Sequence, residues 1–249
     1  MTIKKHIPNS LTLLNLLCGC LAILFLFLDH VNFIPYLLII SLVADFLDGL
    51  VARLLGVSSP IGKELDSLAD VVSFGVLPAM ILVYLLAFQF YSQGQSFDFA
   101  AALNSISSWK EGVFIFFPLI VALFSALRLA KFNVSEDQSK EFLGLATPAA
   151  TLFVMGLFLI HTQNIAVNSM VDPKWMLIGV SVIISALLVS NIPMFSFKPN
   201  GSSFQENKWP IIFVAISALL LVIFTWGAVS LIVIAYILMN IIRAFIPKS

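Results

Sequence analysis

Charge is the scarcest property of this sequence: charged side chains make up 10% of 249 residues, against 60% hydrophobic residues. A soluble domain of this length needs far more charge to cover its surface, which excludes an ordinary soluble fold. The formal net charge is zero, so nothing indicates nucleic acid or an acidic protein as a partner. The two cysteines, Cys18 and Cys20, lie in one apolar run. This placement favours small buried packing residues over a disulfide or a metal pair.

Long apolar stretches are abundant. They recur at lengths of about 18 to 22 residues, each enough to cross a bilayer core of about 30 Å. We therefore predict an all-α, polytopic integral membrane helical bundle of about eight transmembrane helices, forming a single domain over 1–249. The predicted spans lie near 11–28, 33–55, 68–88, 112–131, 143–161, 176–192, 209–225 and 227–246. A polar, Ser-rich loop is expected at 89–111. Lys4 and Lys5 precede the first span without a small-residue cleavage site, so no cleavable signal peptide is expected.

The basic residues are distributed unevenly between the two sides of the predicted bundle. With eight spans, both termini share one side with 54–67, 132–142 and 193–208. That side holds eleven of the thirteen basic residues, and only Lys110 and Lys174 lie opposite. Because cytoplasmic segments are enriched in Lys and Arg, this distribution predicts a multi-pass protein of the inner membrane with both termini in the cytoplasm.

Four aspartates interrupt the apolar pattern where residues 45–70 read DFLDGLVARLLGVSSPIGKELDSLAD. Asp45 and Asp48 are three residues apart, and Asp66 and Asp70 are four apart, so each pair shares one helix face. An ionised carboxylate at membrane depth costs at least a few kcal/mol unless it is paired or metal-bound. Four such groups repel one another unless cations lie between them. The pattern therefore predicts a buried site for hard metal ions, opening toward the cytoplasm.

The residue types around these aspartates indicate which ions and ligands the site prefers. Oxygen ligands without nearby His or Cys favour Mg²⁺ or Mn²⁺, with Ca²⁺ as the third candidate, over zinc. Two such ions can bridge a diphosphate and stabilise both oxygens of an in-line displacement. Gly49, Ala52 and Gly62 lack bulk, so a ligand can approach the backbone, although small residues also serve close helix packing. Arg53 can bind a phosphate through two hydrogen bonds.

The spacing DxxDGxxARx8GxxxDxxxD resembles the signature of the CDP-alcohol phosphotransferase family at every position. The resemblance implies transfer of a phosphoryl-alcohol group from a CDP-linked donor to a hydroxyl group, with release of CMP. It implies that Asp45, Asp48 and Asp66 are metal ligands. Asp70 corresponds to the general base, which also contacts a metal ion. The residues implied to line the cytidine diphosphate site are Asn9, Thr12, Gly49, Ala52, Arg53, Gly62 and Asp66.

Further stretches, over about residues 4–200, resemble the membrane-embedded phosphatidylserine synthases of that family. They are HIPNSLTLLN from His6, ALRLAKFN from Ala126, GLATPAA from Gly144 and VSNIPMFSFK from Val189. The resemblance implies CDP-diacylglycerol and L-serine as substrates, phosphatidylserine and CMP as products, and a homodimer in the lipid bilayer. We assign 1–200 to the catalytic core and 209–246 to a C-terminal helical pair.

The acceptor is predicted from a second cluster of polar residues. Serine is a zwitterion, so its pocket needs a cation or an amide donor for the carboxylate. Arg128, Lys131 and Asn133 cluster at a predicted cytoplasmic helix end and offer such groups. Alternatively, Arg128 and Lys131 anchor the helix at the lipid headgroups. Asn9 and Thr12 begin the first span, where they can cap the helix, bind the nucleotide, or do both.

Two other functions stay open at this point. The first is the same chemistry with glycerol 3-phosphate, inositol phosphate or choline. A phosphorylated acceptor requires additional Arg or Lys near the site, and the sequence offers few. The second is a cation- or proton-coupled transporter that uses the aspartates as a relay. Against it, the aspartates lie toward one membrane face, and no inverted repeat is visible. No Ser–His or Cys–His pair is evident, so we expect direct displacement without a covalent intermediate.

Overall fold

The computed structural model describes residues 6–57, 59–91, 97–134, 142–162, 173–195 and 208–245. The helices are α1 (His6–Phe27), α2 (Ile34–Leu54), α3 (Pro60–Val71), α4 (Leu77–Tyr91), α5 (Phe99–Asn104), α6 (Trp109–Phe116), α7 (Ile120–Val134), α8 (Thr147–Thr162), α9 (Pro173–Leu188), α10 (Lys208–Phe224) and α11 (Ala228–Phe245). A π-helical turn, Val72–Val76, joins α3 to α4, and 3₁₀ turns cover Val31–Phe33, Phe117–Leu119 and Thr225–Gly227. Two short strands, β1 (Phe142–Leu143) and β2 (Pro193–Met194), pair antiparallel.

The predicted all-α, polytopic membrane architecture is confirmed. Four continuous helical stretches are long and apolar enough to cross a bilayer, namely His6–Phe27, Val31–Leu54, Pro60–Tyr91 and Trp109–Val134. The other four predicted spans coincide with the shorter apolar helices α8, α9, α10 and α11. The number of crossings and the side of the termini stay predictions.

The helix of the third predicted span is longer than the span itself, and one predicted loop was wrong. The third span, predicted near 68–88, belongs to a helix that begins at Pro60, because Ser59 caps it. The Ser59 Oγ accepts a hydrogen bond from the Gly62 amide at 3.0 Å, and Pro60 suits the first turn. The expected loop at 89–111 contains the short helix α5, which begins where the Asp98 side chain accepts a hydrogen bond from an amide of its first turn.

The two cysteines differ in their surroundings. Cys18 is buried, as predicted, whereas Cys20 is exposed, and both are free thiols. Since residues two apart on a helix point in nearly opposite directions, one apolar run cannot bury both side chains on the same face. The prediction that both cysteines are buried was therefore wrong for Cys20.

The continuous helix Pro60–Tyr91, made of α3, the π-helical turn and α4, lies at the centre of the bundle. Its apolar stretch is 72% buried, against 28–33% for the other three long helices. From Leu77 to Ala87 almost every side chain is buried, with contacts to α1, α8 and α9. Asp66 and Asp70 belong to the N-terminal part of this same helix, so the most buried of the four long helices also carries two of the four aspartates.

Helix α1 approaches the backbone of the central helix at Gly19. A Cβ at this position would overlap both the side chain and the Cα of Ser73. One turn earlier on α1, the Asn15 carbonyl accepts a hydrogen bond from the Ser73 Oγ at 3.0 Å. The contact therefore sets the distance between α1 and the central helix three residues beyond Asp70.

The uneven distribution of basic residues is visible in the described helices. Arg53, Lys63 and Arg128, from three different helices, line one cavity. Toward the other end of the central helix, the Lys174 Nζ lies 4.2 Å from the ring centroid of Phe90. Five further basic residues, Lys4, Lys5, Lys140, Lys198 and Lys248, lie outside the described residues.

We expect Gly19→Leu to destabilise the fold by about 1–3 kcal/mol, because the added side chain meets backbone that cannot move aside. The measurement is the thermal unfolding midpoint of the purified protein in detergent. The control is Gly179→Leu in α9, where an added Cβ meets no atom within 4 Å. Equal midpoints for the two variants would contradict the close-approach argument.

Candidate active site

Three aspartates converge at one end of the bundle. Asp45 and Asp48 lie on α2 and Asp66 lies on α3, and one carboxylate oxygen from each lies within 4.8 Å of the others. Asp48 is only 6% exposed. The chain turns between the two helices at Gly56, whose φ of +60° favours glycine. Oxygen ligands gathered at this spacing fit a hard divalent cation such as Mg²⁺ or Mn²⁺.

The fourth aspartate, Asp70, lies at the edge of this cluster. Its carboxyl group is within hydrogen-bonding range of Asp45, and its Oδ1 accepts a hydrogen bond from the Asn15 Nδ2 at 3.3 Å. Asp70 also lines the cavity described below. Its carboxylate therefore borders both the metal-type cluster and open space, which is the arrangement a proton-accepting group needs.

Helix α1 supplies uncharged donors to the aspartates. The Thr12 Oγ1 donates a hydrogen bond to Asp48 Oδ2 at 2.6 Å, and Asn15 follows on the same face. The amide of Asn15 is itself held by Ser41 of α2, whose Oγ donates to Asn15 Oδ1 at 2.5 Å. Thr12 lies more than a turn inside α1, so its hydroxyl binds Asp48 and does not cap the helix. Sequence reasoning missed Asn15 and Ser41, although each is one turn from a predicted site residue.

A cavity of about 1030 Å³ opens beside the aspartates, at the upper end of the range for small-molecule pockets. The predicted site residues that line it are Asn9, Thr12, Asp48, Gly49, Ala52, Arg53, Gly62, Asp66, Asp70, Arg128 and Asn133. Asp45 joins them through the carboxylate cluster. Lys131 is not among the lining residues, and its side chain is exposed.

The two glycines of the motif have different surroundings. A Cβ at Gly49 would meet no atom within 4 Å, so this face of α2 is open to the cavity. A Cβ at Gly62 would lie 3.0 Å from the Ser59 Oγ and 3.1 Å from the Asn9 Oδ1. Gly49 thus leaves room for a ligand, whereas Gly62 allows α1 and the N-terminal cap of α3 to approach each other.

Polar groups from α7 and α8 also line the cavity. The Arg128 Nε and the Thr147 Oγ1 are buried and have no hydrogen-bond partner within the described part of the chain. Both residues line the cavity. By contrast, the Asn133 Nδ2 donates to the Ser67 Oγ at 2.8 Å. Since buried polar groups are nearly always paired, Arg128 and Thr147 offer hydrogen bonds that a ligand can satisfy.

The C-terminal helices contribute the remaining wall. The lining residues from this part are Phe213, Ile232, Val233 and Tyr236. The Tyr236 hydroxyl donates to the Phe195 carbonyl at 3.0 Å, and the Asn240 Oδ1 accepts from the Phe195 amide at 2.7 Å. These bonds attach α11 to the chain directly after β2. Sequence reasoning missed this wall because an apolar helix with a single tyrosine carries no motif.

Comparison with known proteins assigns this chain to one family. Residues 5–190 match the family model described as CDP-alcohol phosphatidyltransferase. The chain belongs to this family and is an enzyme of this type. The family depends on divalent metal ions in general, and the cluster of Asp45, Asp48 and Asp66 is a site that could hold one.

Individual relatives in three organisms carry the same name, CDP-diacylglycerol–serine O-phosphatidyltransferase. The protein of Helicobacter pylori strain J99 is 29% identical over 95% of this chain and 90% of its own length. The protein of Bacillus subtilis is 29% identical over 82% of this chain and 99% of its own length. The protein of Methanocaldococcus jannaschii is 35% identical over 77% of this chain and 75% of its own length.

We expect Asp66→Asn to weaken Mn²⁺ binding at least about tenfold, equivalent to about 1.4 kcal/mol, because the amide keeps the shape but loses the charge. Isothermal titration of the purified protein with MnCl₂ gives the affinity without an activity assay. Glu64→Gln is the matched control, since Glu64 is an exposed carboxylate on the same helix. Unchanged Mn²⁺ affinity in Asp66→Asn would remove this residue from the ligand set.

Proposed function

We propose that this enzyme transfers the phosphatidyl group of CDP-diacylglycerol to the hydroxyl group of L-serine, giving phosphatidylserine and CMP. The observation that carries the proposal is one shared cavity, lined by Asp48, Asp66, Asp70 and Arg128. The relatives named for this reaction, at 29% to 35% identity, support serine as the acceptor.

The nucleotide end of the donor binds at the aspartate side of the cavity in this proposal. The open face at Gly49 and Ala52 leaves room for the diphosphate, and Arg53 can bind a phosphate with two hydrogen bonds. Asp45, Asp48 and Asp66 would hold a divalent cation, Mg²⁺ or Mn²⁺ by the chemistry of the donors, which would supply positive charge to neutralise the diphosphate.

Asp70 acts as the general base, because its carboxylate borders both the cluster and the cavity. It accepts the proton of the serine hydroxyl as the serine oxygen forms a bond to the phosphorus that carries diacylglycerol. The bond from that phosphorus to the bridging oxygen of the diphosphate breaks, and CMP departs with the electron pair. Arg53 stabilises the charge on CMP. No covalent enzyme intermediate is needed.

The serine carboxylate binds beside α7 and α8 in this proposal. A buried guanidinium N–H suits a carboxylate, and the Arg128 Nε has no acceptor within the described residues. The unpaired Thr147 hydroxyl adds a second polar group on the same cavity. Lys131 is exposed, which favours the alternative of headgroup anchoring for this residue. A phosphorylated acceptor would bring at least one more negative charge into the cavity than serine does, and basic side chains would have to neutralise it.

The site faces the cytoplasm in this proposal, in the inner membrane of the cell. Support comes from Arg53, Lys63 and Arg128, which lie at the end of the bundle that the positive-inside rule assigns to the cytoplasm. Serine and CMP are water-soluble and exchange with that compartment, whereas the acyl chains of the donor stay in the bilayer. The homodimer stays a prediction.

The deciding assay uses the purified protein, CDP-diacylglycerol and Mg²⁺ or Mn²⁺, with labelled serine, glycerol 3-phosphate, inositol phosphate or choline in separate reactions. We expect CMP and a labelled lipid with serine. A labelled lipid with another alcohol, and none with serine, would overturn the acceptor assignment. A transporter would release no CMP under any of these conditions.

We expect Asp70→Asn to lower turnover by about 10² to 10⁴, the usual contribution of a general base. The affinity for CDP should stay within about threefold, or about 0.7 kcal/mol, because the substitution keeps the shape of the side chain. Turnover and CDP binding are measured on the same preparation. Retention of full turnover in this variant would exclude Asp70 as the base.

We expect Arg128→Met to raise the KM for serine at least about tenfold, since a hydrogen bond to a charged group contributes about 1.5 to 3 kcal/mol. The KM for CDP-diacylglycerol should change far less. Lys131→Met is the matched control, because it removes an exposed cation one turn further along α7. If Lys131→Met raises the serine KM and Arg128→Met does not, the two roles are the reverse of those proposed.

A further inference from the structure

We infer that Asn15, held in place by Ser41, is a positioning residue that orients the carboxylate of Asp70 for proton transfer. The inference rests on the proposed function, because it assumes that Asp70 accepts the proton of the acceptor. Neither Asn15 nor Ser41 belongs to the aspartate motif, and neither lines the cavity. Asn15 therefore acts on the reaction through Asp70 and not through contact with a substrate.

The hydrogen bonds define one orientation of the Asn15 amide. Asn15 and Ser41 are both fully buried, at 0% exposure. The Ser41 hydroxyl donates to Asn15 Oδ1 at 2.5 Å, and this bond requires the amide oxygen to face α2. The amide nitrogen then faces the central helix, where it donates to Asp70 Oδ1 at 3.3 Å. Ser41 thus determines which end of the amide meets the carboxylate.

The backbone of Asn15 is held as well as its side chain. Its carbonyl accepts the hydrogen bond from Ser73, which follows Asp70 by three residues on the central helix. At Gly19, α1 also packs closely against Ser73. The π-helical turn Val72–Val76 begins two residues after Asp70, and such turns occur frequently at functional sites. Asn15 is therefore held from two sides, by Ser41 of α2 and by Ser73 of the central helix.

Packing alone does not explain this pair of polar residues. The rest of the first two helices is overwhelmingly apolar, and a buried polar group left unpaired costs about 1 to 3 kcal/mol. Ser41 and Asn15 satisfy each other only in part, because the amide of Asn15 keeps two N–H donors. One of these N–H groups donates its hydrogen bond to Asp70. With its Oδ1 held, the carboxylate has one orientation instead of rotating freely about its side chain.

The expected effect follows from geometry. Misplacement of a reacting group by about 1 Å costs about 100-fold in rate, whereas substrate binding does not depend on the exact orientation of the base. Asn15→Leu, which keeps the size but removes the amide, should lower kcat by about 100-fold. Asn15→Asp should do the same, because a carboxylate cannot donate a hydrogen bond to Asp70. Ser41→Ala should lower kcat by about tenfold, and Ser41→Thr, which keeps the hydroxyl, should restore most of it.

The experiment measures kcat, both KM values, CDP affinity by calorimetry and the thermal midpoint for each variant. Support consists of a lower kcat with both KM values and the CDP affinity within about threefold, and a midpoint within about 4 °C of the unmodified protein. The control is Ser181→Ala in α9, another fully buried serine, whose Oγ donates to the Leu177 carbonyl. It should leave kcat unchanged.

Two results would overturn the inference. One is full kcat in Asn15→Leu; the other is a kcat loss accompanied by equal losses of CDP affinity and thermal stability, which indicates a structural role only. The unmodified protein decides the proposed function separately. If it uses another alcohol instead of serine, the same variants are measured with that alcohol. If it releases no CMP with any alcohol, the proposed function and this inference fail together.

Discussion

Repulsion between four carboxylates, gathered at one end of an apolar bundle, is the constraint on which the rest of this site depends. No apolar packing offsets it, because each carboxylate loses water on burial and gains like-charged neighbours. The compensation comes from polar groups on surrounding elements: Thr12 and Asn15 on α1 donate hydrogen bonds, and the spacing of Asp45, Asp48 and Asp66 accommodates divalent cations. Polar contacts at the aspartates therefore act together with apolar packing where α1, α2 and the central helix meet.

The central helix connects this constraint to the stability of the whole bundle. Its second half is buried on every side, and its first half carries Asp66 and Asp70. Because the two halves are continuous through a π-helical turn, the aspartates are attached to the most buried of the four long helices. Helix α1 contacts the central helix at Ser73, through the Asn15 carbonyl and through Gly19. The packing of the central helix therefore fixes the positions of Asp66 and Asp70 at its N-terminal end.

Much of the site could be predicted from sequence because its signals are local. Spacings of three and four residues place Asp45 with Asp48, and Asp66 with Asp70, on common helix faces without any knowledge of the fold. The partners of those residues depend on how helices pack, so neither Asn15 nor Ser41 stands out in an apolar run. The sequence also does not show which side chains of a helix face the cavity. Arg128 lines the cavity, whereas Lys131, one turn later, is exposed. The start of the central helix at Pro60 depended on a cap, not on hydropathy.

The residues that line the cavity come from two parts of the chain, and only the first part matches the family model. The reacting carboxylates fall within the matched residues 5–190, whereas Phe213 and Tyr236 come from helices after that limit. Part of the enclosure therefore comes from helices outside the stretch that carries the reacting carboxylates. Substitutions in α10 and α11 would consequently alter the shape of the compartment without replacing any of the four aspartates.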